Sequence, residues 1–240
     1  MKDLHSHILY DIDDGSRNLD DSLKIIKKAF DNGVRDIILT PHYIKDSLYN
    51  ANNKEKMKKL KKLKKELREN KIDINLYLGN EVYIDEDIVE LVEKCEISTI
   101  NNSRYILIEF PLNSKFLMLE EVLFKLKKNN LVPIIAHPER YRCYYNDYDF
   151  FDNLIKSGCL FQCNIGSLYG DYGLKSKKMI RGFLKRNMVH FLGSDIHHVE
   201  SRVYERDVYK TLFKILKDEE RIFKILEENV SKVLKNQEVR

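Results

Sequence analysis

An irregular parallel α/β barrel is the fold this sequence predicts. Short β-branched, apolar runs alternate with helical periodicity, and no linker or shift in composition divides the chain. Six of the seven apolar runs are followed by a histidine or a carboxylate. In (β/α) barrels the chemistry sits at the C-terminal ends of the strands. An open doubly wound sheet is the alternative, but it would gather such residues near one crevice rather than after nearly every strand. Seven strands make the expected form an irregular (β/α)7, TIM-like barrel, one domain over residues 1–240.

Residues 1–5 begin the first strand. Asn18 is placed to cap a helix over 19–31, with Asp21 in its first turn and Asn32-Gly33 as its stop. Residues 36–40 read as a buried strand. A helix over 54–70 carries Met57, Leu60, Leu63 and Leu67 on one face. Strand 74–78 is followed by a short helix over 85–95, and strand 104–109 by a helix over 119–129. Strand 132–136 then leads to a helix over 149–157 that ends at Gly158. Strand 159–163 precedes a helix over 174–187, strand 189–192 follows, and two or three helices fill 203–236.

The chain has 240 residues, enough for a large core, and 43% of them are hydrophobic. No run approaches the ~18 apolar residues of a membrane span. The first residues lack a signal-peptide pattern, since His5, His7 and Asp11 interrupt them. The four cysteines form no CxxC pair and read as reduced thiols, which places the protein in the cytoplasm. The CX5R loop of cysteine phosphatases is absent. The net charge of +4 is low for a dedicated nucleic-acid binder, and no groove-reading motif is present.

The candidate site residues follow the strands. His5 and His7 flank Ser6, and Asp11-Ile-Asp-Asp14-Gly15 supplies carboxylates that can fold back. His42 follows Thr40-Pro41, Glu81 follows Gly79-Asn80, and His137 precedes Pro138. Asp195 and His197 close Ser194-Asp-Ile-His197. Glu109 sits in the apolar run Ile106-Leu-Ile-Glu-Phe, where an unpaired carboxylate costs several kcal/mol (order of magnitude), so a metal or an arginine is its expected partner. Imidazole and carboxylate without thiolate suit Zn, Mn, Fe or similar ions without choosing among them. The candidates are too many for one tetrahedral ion. Two or three ions sharing a carboxylate fit better, and such sites serve phosphoryl transfer, acidifying a bound water toward pKa ~7.

These motifs, Asp3-x-His5-x-His7 through Ser194-Asp-x-His197, resemble the polymerase and histidinol phosphatase (PHP) superfamily over residues 3–202. Asp13-Asp14-Gly15, His137-Pro-Glu-Arg140 and the later Arg202 resemble its bacterial capsular-polysaccharide tyrosine phosphatases (CpsB/YwqE type). The resemblance implies a cytoplasmic metal-dependent phosphatase acting on the phosphotyrosine tail of a bacterial tyrosine kinase in capsule or exopolysaccharide synthesis. It implies up to three divalent ions (Mn, Fe, Zn, Co or Mg). One is on His5, His7, Glu81 and Asp195; one is on Glu81, Glu109 and His137; one is on Asp14, His42 and His197. Arg140 and Arg202 match the phosphate-binding arginines, and attack by metal-bound hydroxide is the implied reaction. Three divalent ions and the carboxylates of Asp14, Glu81, Glu109 and Asp195 leave two positive charges, which match a phosphate monoester dianion.

Other residues keep two readings. Asp3, Asp13 and Glu139 are candidates to orient imidazoles or arginines. Tyr141, Tyr144, Tyr145 and Tyr148 either wall a substrate cleft or pack a loop. The lysines of residues 54–71 form either a solvated helix face or a basic arm for an acidic or phosphorylated tail. Histidinol-phosphate phosphatase, a PHP exonuclease and a silent nucleic-acid-binding module using that helix are the rival functions.

Overall fold

The computed structural model describes residues 1–50 and 52–239. Among these described residues nine strand segments occur in chain order: β1 (Lys2–Asp3), β2 (Asp36–Leu39), β3 (His42–Tyr43), β4 (Asn75–Leu78), β5 (Glu81–Tyr83), β6 (Tyr105–Glu109), β7 (Val132–Ala136), β8 (Leu160–Asn164) and β9 (Phe191–Gly193). The seven expected strands are present, and the second and third each continue, after a break, into a short further segment beyond the expected bounds. Pro41, which has no N–H to give, interrupts the second, and Gly79-Asn80 the third. Asn80 bridges the breaks by donating its side-chain amide to the Pro41 carbonyl at 3.0 Å.

All strand pairs are parallel. One ladder runs β1-β2-β4 and the other β3-β5-β6-β7-β8-β9. Ser6 and Ile196 form a further parallel bridge between the chain after β1 and the chain after β9. There the His7 N–H donates to the Ile196 carbonyl at 3.0 Å and the Asp195 N–H to the His5 carbonyl at 2.9 Å. The result is a curled parallel sheet of half-barrel form. The regular ladder of the first strand stops at Asp3, short of the expected residue 5, and the chain continues through the Ser6 bridge.

Alternation along the strands divides the core into two layers. Ile38, Leu107, Ile134 and Ala136 join one cluster with Phe191, onto which the last helix lays Val230 and Val233. Ile37, Ile106, Ile108 and Ile135 face the other cluster, with Ile25, Ile26 and Leu63. Helix Leu19–Asp31 starts where expected, the Asn18 side chain accepting from the Asp21 N–H. Helix Asn53–Glu69 differs from expectation in its buried face. Met57 is 45% exposed and Lys56 is fully buried beside Leu60, Leu63 and Leu67. Lys56 turns inward because Asn80, the Ser98 hydroxyl at 3.0 Å and the Gly79 carbonyl accept its protons. The expected short helix contracts to Ile88–Glu93, and a further helix, Ile165–Tyr169, follows β8.

Candidate metal centre

The strand ends bring the histidines and carboxylates together. His5 and His7 follow β1, His42 opens β3 and Glu81 opens β5; Glu109 ends β6, His137 follows β7 and Asp195 follows β9. His137 and Asp195 hold left-handed backbone, with φ of 32° and 51°. Such strain costs ~1–3 kcal/mol per residue and persists where the surroundings over-determine it.

Glu81 Oε2 is the centre of the cluster. It lies 3.1 Å from His5 Nε2, 3.1 Å from His7 Nε2 and 3.2 Å from His42 Nδ1. Asp195 Oδ1 is 3.6 Å from both His5 Nε2 and His7 Nε2. On the other side, His137 Nε2 lies 2.9 Å from Glu81 Oε1 and 3.6 Å from Glu109 Oε1. Asp14 Oδ1 is 3.5 Å from His197 Nε2 and 3.7 Å from His42 Nε2. Three groups share a ligand-sized space: His5, His7, Glu81 and Asp195; His42, Glu81 and Glu109; and His7, Asp14, His42 and His197. His42 belongs to two of them, showing Nδ1 to the glutamates and Nε2 to Asp14.

The donor chemistry fits cations there. His5 Nδ1 meets the Gln162 Oε1 acceptor at 2.8 Å, and His7 Nδ1 meets the Asp13 carboxylate at 2.7 Å. Each Nδ1 therefore carries the hydrogen, and each Nε2 offers a lone pair. Those two Nε2 atoms stand 3.0 Å apart and face Glu81 Oε2, a buried oxygen with no hydrogen-bond donor. Lone pairs crowded against lone pairs repel, and a shared cation removes the repulsion. Protons are the other remedy. Burial opposes charge on His5, yet Glu81 and Asp195 outweigh it and raise its pKa to about 9. Burial and the Glu81 carboxylate push Glu109 up to about 7. The hydrogen bond from His197, against burial, lowers Asp14 to about 2. The pocket demands positive charge, and a metal ion supplies it by accepting the imidazole and carboxylate lone pairs that converge there.

Asp13 orients two of these histidines. Beyond His7, the same oxygen accepts the His42 backbone N–H at 2.9 Å. Asp3 and Glu139 hold backbone and hydroxyl groups instead of imidazoles or arginines. Asp3 accepts from the Ser194 N–H at 2.8 Å and the Tyr204 hydroxyl at 2.6 Å, Glu139 from the Asn164 N–H at 2.8 Å and the Ser167 hydroxyl at 2.7 Å. His190 accepts the Phe161 N–H at 3.0 Å, which fits a structural role.

The two arginines part company. Arg140 Nη1 donates to Asp195 Oδ2 at 2.9 Å, and its guanidinium lies 4.3 Å over the Tyr172 ring. Arg202 is not brought to the cluster: its side chain is 77% exposed and its Nε donates to Glu205 at 2.7 Å. Of the four tyrosines after Arg140, Tyr141 and Tyr144 pack rather than wall the site. Tyr141 is buried, accepting from the Phe110 N–H and donating to the Ala136 carbonyl, and Tyr144 stacks on Phe150 at 3.7 Å. Cys159 and Cys163 are buried and Cys95 and Cys143 exposed, all four as free thiols. Burial pushes the Cys159 thiol up to about 12, far from a nucleophile's range.

Sequence reasoning missed Gln162, Asn164 and Tyr172. Gln162 holds His5 and passes a hydrogen bond to Asn164, which donates to Asp195. Their alternating polar positions at the end of an otherwise apolar strand are the signal that betrays them. Tyr172 stands in a loop with no such signal. It lines a cavity of about 230 Å³ with Asp195, His197 and Ser201. A larger groove of about 750 Å³, between helix Asn53–Glu69 and β4, contains none of the clustered residues.

A family model described as capsular polysaccharide synthesis, CpsB/CapC, matches residues 1–235. The chain belongs to the CpsB/CapC family. Among its relatives, CapC of Staphylococcus aureus is 36% identical, covering 98% of this chain and 89% of CapC. The tyrosine-protein phosphatase YwqE of Bacillus subtilis is 30% identical, covering 100% of this chain and 93% of YwqE. Crystal structures of YwqE and of CpsB from Streptococcus pneumoniae, described as metal-dependent tyrosine phosphatases, provide a match with TM-score 0.89 and 29% identity over 100% of this chain and 96% of the matched chain. The histidinol phosphate phosphatase of Lactococcus lactis matches with TM-score 0.59 and 17% identity over 89% of this chain and 93% of its own, a likeness of fold alone. Among the described residues, no helix of this CpsB/CapC protein is long and apolar enough to cross a membrane.

Proposed function

We propose that this chain is a metal-dependent protein-tyrosine phosphatase whose substrate is the phosphotyrosine tail of a bacterial tyrosine kinase in capsule or exopolysaccharide synthesis. The observation that carries the reading is the convergence of His5 Nε2, His7 Nε2 and Glu81 Oε2 at 3.0–3.1 Å inside a fully buried cluster. The CpsB and YwqE relatives bear tyrosine-phosphatase names, which supports the substrate class. The exposed free thiols Cys95 and Cys143 fit the reducing cytoplasm.

The seven strand passes and the Ser6–Ile196 bridge support an irregular (β/α)7 barrel as the frame, one domain over residues 1–240. Three ion positions are proposed. His5, His7, Glu81 and Asp195 would hold one, Glu81, Glu109 and His137 a second, and Asp14, His42 and His197 a third. His42 Nδ1 also faces the second, so His42 links the two. Divalent ions bound there supply Lewis-acid chemistry, acidifying water and screening a phosphate dianion.

The chain's own residues do the rest. Asp13 and Gln162 hold His7 and His5 by their Nδ1–H groups, so that both Nε2 lone pairs face inward. Arg140, carried on the Tyr172 ring, presents a planar fork of N–H donors suited to phosphate oxygens. Arg202 would join it by exchanging Glu205 for substrate, a small cost because exposed ion pairs are worth ~0–1 kcal/mol. A phenolate leaving group, with pKa ~10, needs less protonation than an alkoxide, and no general acid is assigned.

The test pairs metal analysis of the purified protein with turnover of a phosphotyrosine peptide and of histidinol phosphate. Two to three ions per chain and preference for the peptide are expected. Preference for histidinol phosphate would move the chain to the other branch of the fold.

A further inference from the structure

On the outer wall, helix Leu174–Lys185 carries a cationic groove that the proposed chemistry does not use. Lys177, Lys178, Arg181, Lys185 and Arg186 line a depression of about 540 Å³ with Tyr148. Leu174, Lys178, Arg181 and Lys185 recur at helical spacing, so they form one stripe along one face. None of the five cations takes part in an ion pair among the described residues; the nearby ion pairs are Lys156 with Asp152 and Arg206 with Asp171. The lysine-rich helix Asn53–Glu69 also carries cations without an ion pair among the described residues, Lys54, Lys58, Lys61, Lys62 and Lys64, so position and not charge alone sets the groove apart. There Lys59 is paired with Asp11 and Glu55, Lys65 with Glu69, and Lys56 is buried.

The groove is built, not merely charged. Tyr148 seats its ring on Gly182, where an added Cβ would stand 2.0 Å from the phenol oxygen. The Arg186 guanidinium stacks over that ring at 3.8 Å. A side chain at residue 182 would have to displace Tyr148, and Tyr148 in turn holds one cation in the groove. Five uncompensated like charges repel one another, and an anionic partner relieves that repulsion.

Position selects the partner. The helix begins two residues after Tyr172, which lines the cavity beside Asp195 and His197. From Leu174 to Lys185 the stripe runs ~16 Å at ~1.5 Å per residue, the length of about five extended residues. We propose that the groove docks an acidic stretch of the polypeptide that flanks the phosphotyrosine, running from the metal centre down this helix. The proposal rests on the phosphatase reading and extends it to substrate selection. Continuity with the site favours a peptide over a lipid surface, which has no need to reach the cavity.

The test uses the full-length, metal-loaded protein and the triple variant Lys178→Gln/Arg181→Gln/Lys185→Gln, whose three positions are exposed. Substrates are a phosphotyrosine peptide with an aspartate- and glutamate-rich flank, the same peptide with a neutral flank, and p-nitrophenyl phosphate. With each screened contact worth roughly a factor of two, the variant should lose about tenfold in kcat/KM on the acidic peptide, through KM. Turnover of the neutral peptide and of p-nitrophenyl phosphate should stay unchanged, and the wild-type preference should fade with added salt. Equal turnover of both peptides by the wild type, or an equal loss on both in the variant, overturns the proposal. So does a variant that keeps its peptide preference while losing binding to phosphatidylglycerol vesicles or to a DNA duplex. Fluorescence anisotropy of the unphosphorylated acidic peptide separates the two readings. Stripe-dependent binding without any phosphotyrosine turnover supports the groove and overturns the phosphatase reading; absence of binding overturns the groove.

Discussion

Asp13 Oδ2 stands 2.7 Å from His7 Nδ1 and, through the same oxygen, 2.9 Å from the His42 backbone N–H. One carboxylate therefore fixes the tautomer of the first imidazole and the entry of the second. Its other oxygen accepts the Gly15 N–H at 3.0 Å, which ties the turn to the site. Replacing Asp13 with Asn removes the charge that holds the hydrogen on His7 Nδ1. Metal affinity and kcat/KM should each fall ~10–100-fold, read by chelator competition and by p-nitrophenyl phosphate turnover. Unchanged affinity would release Asp13 from this role.

Gly15 touches His7 so closely that a Cβ would lie 2.0 Å from the His7 carbonyl oxygen. Gly15→Ala must push the Asp13–Asp14 turn away. The expected cost is ~1–3 kcal/mol, which for a chain of this size lowers Tm by ~2–4 °C per kcal/mol. Activity should fall further than stability, because Asp13 and Asp14 leave together. A calorimetric scan beside a kinetic assay checks both, and full activity would show that the turn can shift without cost.

Metal removal should make stability depend on pH with a definite sign. His5, raised to about 9 from an ordinary value of 6.5, stabilises the metal-free fold below 6.5 and loses that contribution as pH rises through 9. Glu109, pushed up to about 7 by burial and Glu81, becomes a cost as pH climbs from its ordinary 4.5. Both slopes point the same way, so chelated protein should lose more Tm than loaded protein between pH 5 and 9; Lys56, lowered by burial to about 7, opposes them above pH 7 in both forms alike. Asp14, lowered to about 2, acts only at the acid end, where its contribution disappears as pH falls from 3.8 through 2. Bound cations replace the protons, so the loaded protein should show a flatter profile over the neutral range. Identical profiles with and without chelator would argue against ions at these residues.

Arg140 and Arg202 should separate in their effects. Arg140→Ala leaves the clustered ligands in place but removes a donor poised beside Asp195, so kcat should fall by ~10²-fold or more with metal content retained. Loss of metal instead would give Arg140 a structural role through Asp195. Arg202→Ala breaks only an exposed pair with Glu205 and should leave Tm within ~0.5 kcal/mol equivalent. If Arg202 reaches the substrate, its loss appears in the kinetics alone, and a silent variant removes it from the site.

The clustering of the strand-end histidines and carboxylates was legible because a barrel turns sequence order into spatial order. A residue just past a parallel strand reaches the same rim as its counterparts on other strands. His5, His42, Glu81, Glu109, His137 and Asp195 needed no more than that rule. Helix caps such as Asn18 were legible because they are local. Lys56 was not, since its direction depends on Asn80 and Ser98, which the fold supplies from other strands. The tyrosines after Arg140 were equally opaque, because cleft wall and packed loop share one composition.

By itself the sequence determined the alternation of strand and helix and the order of histidines and carboxylates around the rim. Periodicity and residue chemistry are properties of short segments, and short segments can be read one at a time. Only the tertiary structure decided which lone pairs collide at Glu81, which arginine meets Asp195, and that Tyr172, Gln162 and Asn164 belong to the site. Those outcomes depend on atoms about 3 Å apart that come from segments remote in the chain, and nothing local encodes such distances.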